Sequence, residues 1–503
     1  MGPGEQHVGR LPAPGSTTLA ALLHLTDLHL CDAESPARQD YLDHHGNAGQ
    51  AHSRQLGVVG SYRPQEILSV QVAASALRAA QRLDRVPVSG AALDAVLVTG
   101  DVTDNAQSNE LDWYAALMSG TPVEPWSGHR SASTWVGAPD AGFWAPWAWH
   151  PEGPQDGVPG DTYTQLLGFP RVPGLISAAR QAVTSPGVSA PLLTVHGNHD
   201  ALLQGSVQAT AELRELAVGS RRIVDLPPGE TPLVLRTTTP GTGPARYFHR
   251  PTSPAVHVVP DARRAIVHRP GPHYWARDVG EVRVVALDTV NHHGGWQGSL
   301  DEAQLAWLDQ ELVESSGRYV VVTSHHPSWT LTNDYAPAGS PRRRLAGDVL
   351  DVLLRHSNVV VWIAGHVHAH THRWHSAPGR PGGFWEVTTA SMIDWPQQQR
   401  VLEVVREPHG TLALTSTVVD HDADPTWHQA DPSDPARLAS LSRVLAHNDL
   451  RRHLDGTRAT VLSGRTTDRN AVWRMPDPFP RRPATLNRAA SAERPVRLPA
   501  GAH

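Results

Sequence analysis

Six short aliphatic runs, each stopping abruptly at polar residues, constrain this chain most: 20–26, 95–99, 191–195, 282–287, 319–323 and 359–364. Runs of this length fit buried strands, which must end where their carboxyl ends meet solvent or a site. Between them lie segments with apolar residues at helical spacing, at 65–83 and 345–355, and a third that Ser299 to Glu302 would open as a capping box, with Leu305, Leu308 and Leu312 on one face. Strands alternating with helices predict an α/β protein with parallel pairings, whose site sits at the carboxyl ends of the strands. Later runs at 385–389, 400–405 and 411–419 predict antiparallel hairpins completing a second sheet.

Five of the six early runs lead into residues that can bind metal: Asp27-Leu28-His29, Gly100-Asp101, Gly197-Asn198-His199-Asp200, His325-His326-Pro327 and Gly365-His366-Val367-His368. Carboxylates, imidazoles and one amide suit divalent metals of intermediate hardness. In an extended segment residues two apart project to the same side, so Asp27 with His29, and His366 with His368, can each aim at one point. The set holds more donors than one ion needs. It suits two ions, with Asp101 as the natural bridge. Glycines at 100, 197 and 365 fit tight turns that let the ligands face the ions. The single cysteine, Cys31, excludes an intramolecular disulfide and gives no thiolate site; a small buried side chain is its expected role.

The order and spacing of these motifs resemble the calcineurin-like metallophosphoesterase family, whose pattern D-x-H, G-D, G-N-H-D or G-N-H-E, H and G-H-x-H is present in full between about residues 23 and 368. Any one motif is weak, whereas five in order at strand ends are specific. The resemblance implies an αββα sandwich of two mixed β-sheets flanked by helices. It also implies that Asp27, His29 and His368 bind one metal, that Asn198, His325 and His366 bind the other, and that Asp101 bridges them. His326 is the alternative to His325. The implied ions are manganese or iron, zinc also being compatible, and a hydroxide between them would be the nucleophile. His199 is implied to stabilise the transition state or protonate the leaving oxygen, with Asp200 fixing its ring.

The implied activity is hydrolysis of a small phosphomonoester or phosphodiester. Three rivals stand beside it: a nuclease, a protein phosphatase, and a metal-stabilised binding or scaffold module using a Trp-rich insertion as its contact surface. The basic residues are all Arg, 43 against 49 acidic ones, and a net charge of -6 gives no sign of a general nucleic-acid binder. With abundant Ala, Gly and Pro, that usage matches a high-GC genome, so an actinobacterial type of source is expected. No apolar run is long enough for a membrane span and no leader is read at the N-terminus, so the cytoplasm is the expected location.

Along the chain the expected order is an extension (1–18), a catalytic domain (19–425) with irregular insertions at about 105–160 and 219–271, a helical extension (426–474) and a disordered tail (475–503). Within the extension a helix is predicted over 435–454, with Asp434 as cap and Pro435 at the first position. Of the remaining histidines, among 30 in all, His292 and His293 read as solvated loop residues, and His370, His372 and His375 as a polar strand face. Asp394 and Trp395 follow a strand and are candidates for bordering the site.

Overall fold

The computed structural model describes residues 6–7, 11–46, 62–129, 131–154, 160–227, 229, 255–259, 261–267, 272–427, 432, 434–450 and 459–479. Two sheets pack face to face. The first runs in the order β1 (Gln6–His7), β15 (Ala471–Pro476), β14 (Thr411–Asp420), β13 (Gln398–Glu407), β2 (Thr17–Leu25), β3 (Ala95–Val98), β4 (Leu192–Thr194). The second runs β11 (Thr371–Ser376), β12 (Gly383–Thr388), β10 (Val359–Ala364), β9 (Tyr319–Thr323), β8 (Val282–Ala286), β7 (Trp275–Val279). Strands β2, β3 and β4 are parallel, as are β8, β9, β10 and β12. The fold is therefore a mixed α/β sandwich, as the alternation of strands and helices predicts.

Side-chain alternation builds the layers. In β2, Leu22 lies in the core between the sheets, while Ala21, Leu23 and Leu25 pack under the helices Ser69–Arg82 and Ser108–Ser119. In β10, Val361 and Ile363 join the same inner core, and Trp362 and Ala364 pack under Glu302–Glu314 and Ala346–Leu353. Each Val or Leu buried in this way contributes roughly 1.5–3 kcal/mol. The helix expected from a Ser299 cap starts two residues later, because the Asp301 carboxylate takes the Gln304 N–H and Ser299 is buried instead.

Long-range pairing corrects the expected sheet membership. The β13–β14 hairpin joins the first sheet, because β13 pairs with β2, whereas β12 lies in the second sheet beside β10. Likewise β15 crosses the expected boundary at 475 and pairs with β14. The tail from 480 onward lies outside the described residues, as do 228, 230–254, 260 and 268–271 of the second insertion. What is described there includes a two-stranded sheet, β5 (Arg221–Ile223) with β6 (Ala255–His257).

The first insertion is not an irregular loop in its described residues. It begins with the helix Ser108–Ser119, which buries Trp113 against the first sheet. Trp126, Trp135, Trp147 and Trp149 then form a separate apolar core with the helix Pro435–Asn448, which Asp434 caps as expected. Burial of these indoles removes them as an external contact surface.

Candidate metal centre

Parallel pairing places the ends of β2, β3 and β4 side by side in the first sheet and those of β9 and β10 in the second, and packing of the two sheets brings the loops that follow together. Backbone hydrogen bonds fasten them: Asp27 N donates to Gly100 O (3.1 Å), His29 N to Asp101 O (2.9 Å) and Gly365 N to His325 O (2.9 Å). A Cβ on Gly365 would meet Thr26 Oγ1 at 2.0 Å, and Gly100 sits at φ +90° with a Cβ position 2.6 Å from Gly197 N. Only Gly100 needs glycine for its dihedral; Gly197 and Gly365 are required by close approach.

The Asp-x-His and His-x-His segments are not extended. Asp27, His29, Asp101, His366 and His368 all have positive φ, between 43° and 68°. Non-glycine residues in this region are strained, and strain of this kind gathers at functional sites. Two left-handed residues flanking one ordinary residue turn both side chains inward, which replaces strand alternation as the reason these pairs point together.

Two clusters result. In the first, His29 Nε2 lies 3.3 Å from His368 Nε2, and Asp27 Oδ1 lies 3.2 Å from His368 Nε2. In the second, Asn198 Oδ1 lies 3.0 Å from His325 Nε2 and 3.1 Å from His366 Nδ1. Between them, Asp101 Oδ2 is 3.2 Å from His325 Nε2 and 3.7 Å from His29 Nε2. The structure thus brings together all seven residues named as ligands. His326 instead spends its nitrogens on Thr289 Oγ1 and Trp296 O, so His325 is the one that faces Asp101 and Asn198.

The opposite side of three of the four rings is held, as is usual for metal-binding histidines. His29 Nδ1 donates to Asp104 Oδ1 (3.2 Å), His368 Nδ1 to Asp394 Oδ2 (2.6 Å) and His325 Nδ1 to Thr99 O (2.8 Å). Asn198 Nδ2 donates to Gln204 O, which turns its oxygen toward the imidazoles. The donor set and its inward-facing lone pairs fit two divalent ions. Asp27 with His29 and His368, and His29 with Asp101 and His199, each present donor atoms within 4.8 Å of one another.

Electrostatics agree with that fit. Burial would lower His325 and His368, but Asp101 for the first and Asp27 with Asp394 for the second hold both at about 9. Burial and neighbouring imidazoles lower His29 to about 4 and His366 well below 6.5. Burial favours the neutral forms of Asp27 and Asp101, yet the imidazoles keep both carboxyls below the usual range.

His199 lies on the half-open side, its ring 4.3 Å from that of His29. Asp200 does not orient it. The Asp200 carboxylate accepts from Val102 N, Thr103 N, Thr103 Oγ1 and Gly197 N, stitching two loops together, and its capacity is spent there. The His199 ring is held by Asp104, through the backbone oxygen at 3.0 Å and the carboxylate at 3.3 Å.

Asp104 and its supports were not read from the motifs. Arg38 donates to Asp104 Oδ2 (2.7 Å) and to Glu66 Oε2 (2.5 Å), and Trp135 Nε1 donates to Glu66 Oε1 (2.9 Å). A buried polar chain therefore links the tryptophan-rich core to the candidate centre. Asp394, a candidate neighbour of the site, touches His368 directly and pairs with Arg63. The only available signal for Asp104 is its place three residues after Asp101 in the same loop. Cys31 is buried among these groups and its thiol is pushed up by burial.

Among the described residues no helix is long and apolar enough to cross a membrane. No known family model matches the chain, and no curated protein matches it. Among solved structures it is similar to a dimetal phosphatase from Danio rerio, at 13% identity and a TM-score of 0.34, over 80% of this chain and 100% of that one.

Proposed function

We propose that the chain is a phosphoric ester hydrolase acting on small phosphomonoesters or phosphodiesters with two divalent cations. Asp27, His29 and His368 would hold one, Asn198, His325 and His366 the other, and Asp101 both. The supporting observation is the convergence of these side chains on strained, left-handed backbone at the ends of parallel strands. Two such cations supply Lewis acidity toward phosphoryl oxygens and lower the pKa of water to near neutrality. Each protein group then has a task. Asp101 balances positive charge between the clusters, while Asp104 and Asp394 fix ring tautomers. His199 stands at the open side, where it can donate a hydrogen bond to developing charge or a proton to the leaving oxygen.

The test is hydrolysis of p-nitrophenyl phosphate and bis-p-nitrophenyl phosphate with manganese added and then chelated. Activity that disappears with chelator and returns with metal is expected. Metal binding without turnover of either ester would favour the scaffold instead.

Loading should be proton-linked. Each cluster holds one imidazole near pKa 9 and others already neutral, so each ion displaces about one proton between pH 6.5 and 8.5. Affinity per ion is expected to rise by about tenfold per pH unit in that window and to flatten above about 9. Calorimetry in buffers of different ionisation enthalpy checks the count, and an affinity independent of pH would contradict it. Replacing the ring support in Asp394→Asn is expected to weaken manganese binding about 10–100-fold, measured by titration.

A further inference from the structure

A second group of donors lies outside the seven residues. His273, Asp288 and His292 bring one donor atom each within 4.8 Å of one another. Asp288 Oδ2 is 3.0 Å from His292 Nε2. The His273 ring lies 5.9 Å from that of His292, and His196 stacks on His273 at 5.1 Å. His273 and Asp288 lie just beyond the paired ends of the antiparallel β7–β8 hairpin and His292 is four residues further on, while His196 follows β4 in the other sheet.

The carboxylate is rigidly presented. Buried Gln304 grips the Asp288 backbone from both sides, accepting from Asp288 N (2.8 Å) and donating to Asp288 O (2.7 Å). Asp288 Oδ1 accepts from Val290 N (3.1 Å), which turns Oδ2 toward the imidazoles. The loop carrying His292 is fixed as well: Asn291 Nδ2 donates to Tyr335 O, and Gly294 N to Asn291 O. His292 is 54% exposed, so solvent and ions reach the cluster. The nearby cation Arg343 is tied to Ser299 through Nε and Nη2.

We infer that His273, Asp288 and His292, with His196 adjoining, form an additional divalent cation site of two imidazoles and one carboxylate. That donor set suits zinc, cobalt or nickel, and three protein ligands leave positions open for water or an anion. An Asp–His ion pair alone would account for the 3.0 Å contact. It would not account for His273, which brings a further ring nitrogen within 4.8 Å of the other two donor atoms, in reach of one common ion. The inference does not depend on the phosphoesterase reading.

The experiment counts zinc ions per chain by mass spectrometry after chelator stripping, reloading and desalting. It compares the full-length protein with His292→Ala, Asp288→Asn and Asp101→Asn. His292→Ala is expected to hold one ion fewer than the unmodified chain and to lose the matching visible absorption when cobalt replaces zinc. Because His292 is exposed, its thermal unfolding should not move, and Asp288→Asn should show the same loss of one ion. Equal ion counts and cobalt spectra in the unmodified chain and His292→Ala overturn the inference, whatever Asp101→Asn does. If the unmodified chain reloads a single ion and His292→Ala reloads none, the additional site stands and the dinuclear reading falls.

Discussion

Replacing Asp101 by Asn is expected to lower turnover of p-nitrophenyl phosphate by about 10³-fold, near the upper end of what one electrostatic group contributes. Asn keeps the shape of the side chain and can still accept from His199 N, a contact of 2.7 Å, so the fold should survive. What it removes is the negative charge 3.2 Å from His325 and 3.7 Å from His29, where both proposed ions meet. The same charge opposes burial and keeps His325 protonated at about 9 in the metal-free chain. Without it His325 should become neutral near pH 7, so metal binding by the variant should release about one proton fewer. Steady-state kinetics and calorimetry read the two effects separately. A variant within tenfold of the original turnover would remove Asp101 from the proposed chemistry.

Arg38→Met is expected to cost about 3–5 kcal/mol of unfolding free energy, because it breaks a buried ionic network and strands its partners. Arg38 is buried with Glu66, Asp104 and Asp40 around it, and its Nη1 also reaches Cys31 Sγ. Burial already lifts Glu66 to about 7 despite the guanidinium, so Glu66 can take up a proton when Arg38 is lost. Asp104 has no such escape, since its remaining oxygen accepts from His29 and lies against His199. Its carboxyl is held well below the usual range by those rings and by Arg38, against the pull of burial. A depressed carboxyl contributes stability above about pH 4 that is lost as pH falls toward its folded pKa, so the variant should show a shallower loss in acid. Urea unfolding at pH 7 and at several values from about pH 4 down to about pH 2 measures this. A change under about 1 kcal/mol at pH 7 would mean that the network is not what holds the tryptophan-rich core to the candidate centre.

The donor residues were legible because they come in short motifs directly after strand-forming runs, where local pattern predicts both the strand and its end. Their supports were not. Asp104, Arg38, Glu66 and Arg63 are single charged residues with no periodic or motif signature, and their meaning comes from partners far along the chain. Asp200 was misread for the same reason: adjacency to His199 implied a contact with its ring, whereas the backbone turns the carboxylate toward Val102 and Thr103. The tryptophan-rich segment looked irregular because its indoles pack against one another and a distant helix, not along one helix face or strand.

By itself the sequence determined the strands that lead into the donor residues, that helices alternate with them, and which donor chemistry stands at their carboxyl ends. These depend on neighbours within a few residues, through side-chain periodicity and turn preferences. Only the tertiary structure decided that β13 joins β2, that residues 339 positions apart such as His29 and His368 face each other at 3.3 Å, and that the ligand backbone is left-handed. Sheet order, cross-loop hydrogen bonds and buried charge partners are set by pairing across the whole chain, and no local pattern encodes them.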